Sequence, residues 1–249
     1  AMRCVYLSKG ILDGFTLSGG TTMTNRNNCE GGGVIGHGLE VVTNSIIRDC
    51  SACDGGGGAE KVTLNNCTLT GNSAIGIGNS SGNGGGAEDC VLNKCKLSDN
   101  TATLSGGGAY RCELNTCILT DNKVGFKGGG ADHCVLNKCS LSSNTASSGG
   151  GSTHSELNNC IISSNTATSG GGSYGDLQLN NCILSGNTAE YYGGGAHNSV
   201  LINCTLFGNT AILNGGGAHY GRIYNCIIWG NKMSGGAAND VVTNNPIYY

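Results

Sequence analysis

The residues best equipped for chemistry stand directly after a recurring G-G-G-A or G-G-G-S signature, at two positions that differ from one occurrence to the next. They read Glu60-Lys61, Glu88-Asp89, Tyr110-Arg111, Asp132-His133, Thr153-His154, Tyr174-Gly175, His197-Asn198 and His219-Tyr220, and they hold four of the five histidines. Tyr191 and Tyr192 lie just before one such signature. Aromatic rings interleaved with hydrogen-bonding groups suit an extended polymer such as a glycan. The expected ligand ribbon is therefore Tyr110, Arg111, Asp132, His133, His154, Tyr174, Tyr191, Tyr192, His197, His219 and Tyr220. The densest charged set is Glu88, Asp89, Arg111, Asp132 and His133. A polysaccharide lyase or glycoside hydrolase would place its acid and base on such groups, which makes Asp89, Arg111, Asp132 and His133 the catalytic candidates. Calcium is the ion such carboxylates would hold. No spacing marks a metal centre, and no other cofactor is indicated. Opposite charges on stacked turns also neutralise each other without any function.

The elements that position these pairs are set by an explicit period. Cys67, Cys95, Cys117, Cys139, Cys160, Cys182, Cys204 and Cys226 are separated by 28, 22, 22, 21, 22, 22 and 22 residues, and an asparagine follows five residues after each. Within a repeat, C-x-L-N-x-C-x-L sets apolar residues two apart on either side of a polar interruption, the periodicity of strands. Cys90, Leu92, Cys95 and Leu97 are expected to face inward, with Asn93-Lys94 turning a corner and the glycines turning another. One coil cannot bury its apolar face, but stacked coils pair in parallel ~4.8 Å apart and enclose a core. The fold expected is all-β, a right-handed, three-faced parallel β-helix of about ten coils.

Fixed columns then have structural readings. Asparagine stacked at one bend can bond its neighbours and the backbone there. The cysteine column reads as a ladder of reduced thiols, because parallel side chains hold their Cβ atoms beyond disulfide reach. The shorter column Cys90, Cys112, Cys134 ends in Ser155. Cys29-Glu30-Gly31 and Cys53-Asp54-Gly55 repeat one coil apart, so Cys29 and Cys53 are the expected disulfide, with a bound metal as the weaker reading. Cys4 and Cys50 are left unpaired. The chain divides into irregular coils (1–60), regular repeats (61–231) and a tail or partial coil (232–249).

Composition bounds the rest. With 46 glycines, one proline and 12% charge the chain is not ordinary globular, yet its regular aliphatic residues exclude disorder. A net charge of −3 excludes a nucleic-acid surface. No apolar run is long enough to cross a bilayer. The opening Ala-Met reads as a cloning remnant, so any export signal or anchor is expected outside this segment. A second outer column, from Thr70 and Ser98 to Phe207 and Trp229, raises an ice-binding face, although Lys96 and Ile161 beside it break the hydroxyl pattern. A structural spacer is the remaining non-binding reading.

G-G-G-A at Gly84–Ala87 with L-S-x-N-T-A at Leu97–Ala102 resembles the repeats of polymorphic outer-membrane proteins, marked by G-G-A-[ILV] and F-x-x-N. I-L-D-G-F-T-L at Ile11–Leu17 and C-I-I-W-G-N at Cys226–Asn231 are similar to pieces of large bacterial β-helix surface proteins. The resemblance implies an extracellular or outer-surface bacterial rod, adhesin-like, with host or neighbour-cell glycans as partners and no catalytic residues of its own.

Overall fold

The computed structural model describes residues 2–22, 29–77, 81–234, 236–242 and 247–248. The described residues form an all-β solenoid of about nine complete turns with partial coils at both ends. The strand pairs between coils are parallel and in register, as in Leu92↔Leu114 and Leu114↔Leu136, with one register shift on the fourth face between Ala167 and Ser169. The faces number four rather than three, with eleven, eleven, ten and nine strands.

One coil shows why. Ala109–Tyr110 lies on the first face, Glu113–Asn115 on the second, Ile118–Thr120 on the third and Lys123–Val124 on the fourth. Between them Arg111, Thr116 and Asp121 adopt left-handed backbone at φ 50°, 57° and 57°, and Gly128 at φ 65° completes the circuit. Four left-handed corners make four faces, and three of them use residues other than glycine, so composition alone does not reveal them. At the fourth corner glycine is required. A Cβ on Gly106 would stand 2.9 Å from the Cβ of Tyr110.

Inside the coil Ala109, Cys112, Leu114, Cys117, Leu119, Asn122 and Val124 are all buried. The asparagine column is a continuous hydrogen-bonded spine. Asn100 Nδ2 donates to Asn122 Oδ1 at 3.0 Å and to the Leu69 carbonyl of the preceding coil at 3.0 Å, while its backbone N–H donates to Asn122 Oδ1 at 3.1 Å. Asp240 terminates the spine by accepting from both nitrogens of Asn231. A second amide ladder, absent from the sequence reading, runs outside, with Asn115 Nδ2 donating to Asn93 Oδ1 and Asn137 Nδ2 to Asn115 Oδ1.

The thiols do more than fill space. Cys95 N–H donates to Cys117 Sγ and Cys117 N–H to Cys139 Sγ, both at 3.4 Å, so sulfur accepts the corner amide of the preceding coil. Where cysteine is absent an oxygen does the same: Ser45 Oγ for Phe15, Ser155 Oγ for Cys134 and Asp176 Oδ1 for Ser155. Thirteen cysteines are free, and a disulfide joins Cys29 to Cys53 with their Cα atoms 4.9 Å apart. Phe207 and Trp229 stack at 5.7 Å on the outside of the third face, and Trp229 is exposed.

Candidate functional site

The variable pairs occupy two adjacent columns on the outside of the first face. In each pair the first residue is the last of its strand and the second is the left-handed corner residue. Although the first residue faces outward, it is buried or half-buried: Glu60, Glu88, Asp132, Thr153 and His219 are buried, and Tyr110, Tyr174 and His197 are half-buried. They lie across the glycine corner, with the Cβ of Tyr110 close to Gly106 and that of His219 close to Gly215, and at the C-terminal end Tyr192 of the fourth face leans over them. The result is a trough running from Glu60 to His219 along the rod.

At its N-terminal end is a cleft of about 170 Å³ lined by Glu30, Asp54, Glu60, Lys61, Glu88 and Arg111, among others. The carboxylates beside the disulfide thus share one cleft with the first two residues of the trough. Lys61 Nζ bridges Glu60 at 2.7 Å and Glu30 at 3.4 Å. Arg111 grips Asp89 with Nε and Nη2 at 2.8 and 2.7 Å and reaches Glu88 at 2.9 Å. Burial, with the neighbouring carboxylate adding to it, pushes Glu88 up to about 8. Burial lifts Glu60 to about 7 against the pull of Lys61. The Asp89 pairing holds Arg111 firmly protonated, the opposite of what a proton-accepting arginine needs. Glu60 Oε2 and Asn83 Oδ1 are buried there without hydrogen-bond partners.

The middle of the trough is a separate group. Asp132 Oδ1 receives His133 Nδ1 at 3.0 Å and His154 Nδ1 at 3.2 Å, and the two imidazoles lie 4.9 Å apart. Tyr110 meets His133 edge-on at 5.8 Å. Of the four catalytic candidates, Asp89 and Arg111 are therefore joined to each other, and Asp132 and His133 belong with His154.

The C-terminal third is a stack of rings. His197 lies between Tyr174 at 5.0 Å and His219 at 5.1 Å, nearly parallel to both. Tyr192 leans in from the end of the fourth-face strand Thr188–Tyr192 onto His219 at 4.6 Å, while Tyr191 is exposed beside it and Tyr220 packs on His219 at 4.2 Å. Rings one coil apart use their faces on each other, so a ligand in the trough meets ring edges, hydroxyls and ring nitrogens. Burial, then the neighbouring His219, drops His197 to about 4, and burial also lowers His219, so this stretch is uncharged at neutral pH.

Sequence reasoning missed Glu60, although it shares a column with Glu88. It also missed Asp176, which is buried in the column that begins at Cys90, accepts from Ser152 Oγ, Ser173 Oγ and the Ser155 N–H, and is pushed up to about 6 by burial. The signal for both was column membership.

No family model matches the chain, the polymorphic outer-membrane repeats included, and no curated protein matches it. Among solved structures it is similar to the Dettilon tailspike protein, at 12% identity and a TM-score of 0.39, over 96% of this chain and 60% of that one. It is also similar to QnrB1, a plasmid-mediated fluoroquinolone resistance protein, in trypsin-treated form at 15% identity and a TM-score of 0.31, over 95% of this chain and 92% of that one. The full-length form matches at 13% identity and the same TM-score, over 97% and 94% of the two chains. Neither likeness carries a function over to this chain. No helix among the described residues is long and apolar enough to cross a membrane.

Proposed function

We propose that this chain is a secreted or surface-displayed bacterial rod that binds an extended polysaccharide of a host or neighbouring cell along the trough, in the manner of an adhesin. The observation that supports the reading is the trough itself. It is a continuous outer column, from Glu60 to His219, of sheltered hydrogen-bonding and aromatic groups that the repeat does not dictate. Charged pairs are confined to the N-terminal half, and the His197–His219 stretch is neutral, which suits sugar hydroxyls better than an anionic partner. Contact is through Tyr and His edges rather than by sugar rings stacked on open faces. Glycan-array screening followed by calorimetry tests this. Tyr192→Ala with His219→Ala is expected to weaken the best glycan about tenfold or more. Unchanged binding in that variant, or no glycan bound at all, would leave the spacer role as the better account.

Cleavage of the bound polymer is a second reading, favoured by two carboxyls that stay protonated near neutrality in a cleft beside Arg111. A protonated Glu88 would supply a general acid. New reducing or unsaturated ends should then appear on incubation and vanish with Glu88→Gln; turnover that survives this change excludes Glu88 as the acid.

A further inference from the structure

We propose that Asp132, His133 and His154 form a binding site for a divalent transition-metal ion of the zinc class, independent of the polysaccharide reading. One carboxylate oxygen and one nitrogen from each imidazole all lie within 4.8 Å of one another. Two of the three donor separations are already close to what a metal needs. Two donors ~2.0–2.1 Å from a tetrahedral zinc stand roughly 3.3 Å apart, and the two histidine nitrogens lie 3.0 and 3.2 Å from Asp132 Oδ1. Small rotations of the imidazoles would turn three mutually facing donors onto one ion.

The carboxylate supplies an independent sign of an unmet need. Asp132 is 1% exposed, and its Oδ2 is buried without a hydrogen-bond partner among the described residues. Among the described residues the cationic groups within ion-pair reach of it are the two histidines, both on Oδ1. In the preceding pairs, by contrast, Glu88 and Asp89 are met by Arg111, and Glu60 by Lys61. A buried carboxylate oxygen without a donor is costly, and a cation held by the same carboxylate would offset that cost.

Donor type selects the ion. Two imidazole nitrogens and one carboxylate suit zinc, cobalt, nickel or copper rather than calcium or magnesium, which prefer all-oxygen shells. Three protein ligands leave coordination positions open. His133 is about half exposed and His154 about one-third, so the open side of the ion would face solvent in the trough. His197 and His219 offer an internal comparison: their Nδ1 atoms are 3.1 Å apart, but their rings are stacked and they belong to no such three-donor group among the described residues.

The test is calorimetric titration of the whole metal-stripped chain with zinc chloride, alongside cobalt(II) followed by visible absorption. One equivalent is expected to bind with a micromolar or tighter Kd, and cobalt should show ligand-field bands without thiolate charge transfer. His133→Gln with His154→Gln should weaken zinc roughly 100-fold or more. The pair His197→Gln and His219→Gln should leave it within about threefold. Far-UV circular dichroism of both double variants distinguishes lost ligands from a lost fold, and because His133 and His154 are partly exposed corner residues, their double variant is expected to fold. The proposal is overturned if no saturable binding occurs, if binding survives His133→Gln with His154→Gln in the folded variant, or if cobalt reports thiolate ligation.

Discussion

Replacing Asn144 with alanine tests whether the buried amide spine satisfies the third corner of every coil. The Asn144 side chain makes four hydrogen bonds. Nδ2 donates to Leu119 O and Asn165 Oδ1, and Oδ1 accepts from Asn122 N and Asn122 Nδ2, all at 3.0 Å. After truncation Asn122 Nδ2 keeps Leu97 O, and Asn165 Oδ1 keeps the backbone N–H of residue 144. The Asn122 N–H, in a residue with no exposed surface, loses its acceptor. One orphaned buried N–H at ~1–3 kcal/mol and three further bonds at ~0.5–1.5 kcal/mol each give roughly 3–7 kcal/mol. The control is Asn137→Ala on the same coil. That amide donates to Asn115 Oδ1 and accepts from Asn158 Nδ2 on the partly exposed outer ladder, where water can replace the lost partners, so a loss of about 1 kcal/mol or less is expected. Urea unfolding followed by circular dichroism compares the midpoints at constant m. Equal losses for the two variants, or a loss under about 1 kcal/mol for Asn144→Ala, would refute the claim that the inner spine satisfies the corner.

Stability should fall as pH rises from about 4.5 to 8. The folded-state values of Glu60 and Glu88 lie at about 7 and 8, above the ordinary 4.5, so in that window the folded chain holds more protons than the unfolded one. At about 1.4 kcal/mol per pKa unit the two together withdraw up to several kcal/mol, with no penalty below the window and all of it above. Glu60→Gln with Glu88→Gln should remove the part of the fall in Tm between pH 5 and 8.5 that these carboxyls cause, against the opposing rise from the lowered His197 and His219; a double variant whose profile parallels the wild type contradicts the burial of the two carboxyls. For the cysteines, thiol titration of the native chain should find Cys4 promptly, with the core thiols silent until denaturant is added. The total should then reach thirteen, with the Cys29–Cys53 pair appearing only after reduction. A total near five would mean that the eight-cysteine column is bridged.

What the sequence made legible is what stacking forces to repeat. Cys117 stands on Cys95, and Asn122 on Asn100, because each serves the same corner of the coil before it, so their roles followed from their spacing. The corner before Cys112 has the same service, from Cys134 Sγ, but its column passes from Cys to Ser155 and Asp176 and so repeats less plainly. Arg111, His133 and His154 adopt left-handed backbone as readily here as Asn198 does, and nothing in their types announces a fourth face. Burial of the variable column was equally hidden, since it depends on packing across the glycine corner and on side chains from other faces, such as Tyr192. That difference alters the chemistry assigned to the pairs. Read as a sequence, Tyr174, His197 and His219 are platforms for sugar rings; in the fold they are spent on one another, one coil apart. Asp132, read as one charge among several, is a carboxylate with two imidazoles on one oxygen and nothing on the other. In a solenoid whose coils are nearly identical, function is better sought where stacking leaves a group unsatisfied than where the sequence merely varies. By that criterion two places along the trough stand out among the described residues, the cleft at Glu60 Oε2 and Asn83 Oδ1 and the Asp132 carboxylate at its middle.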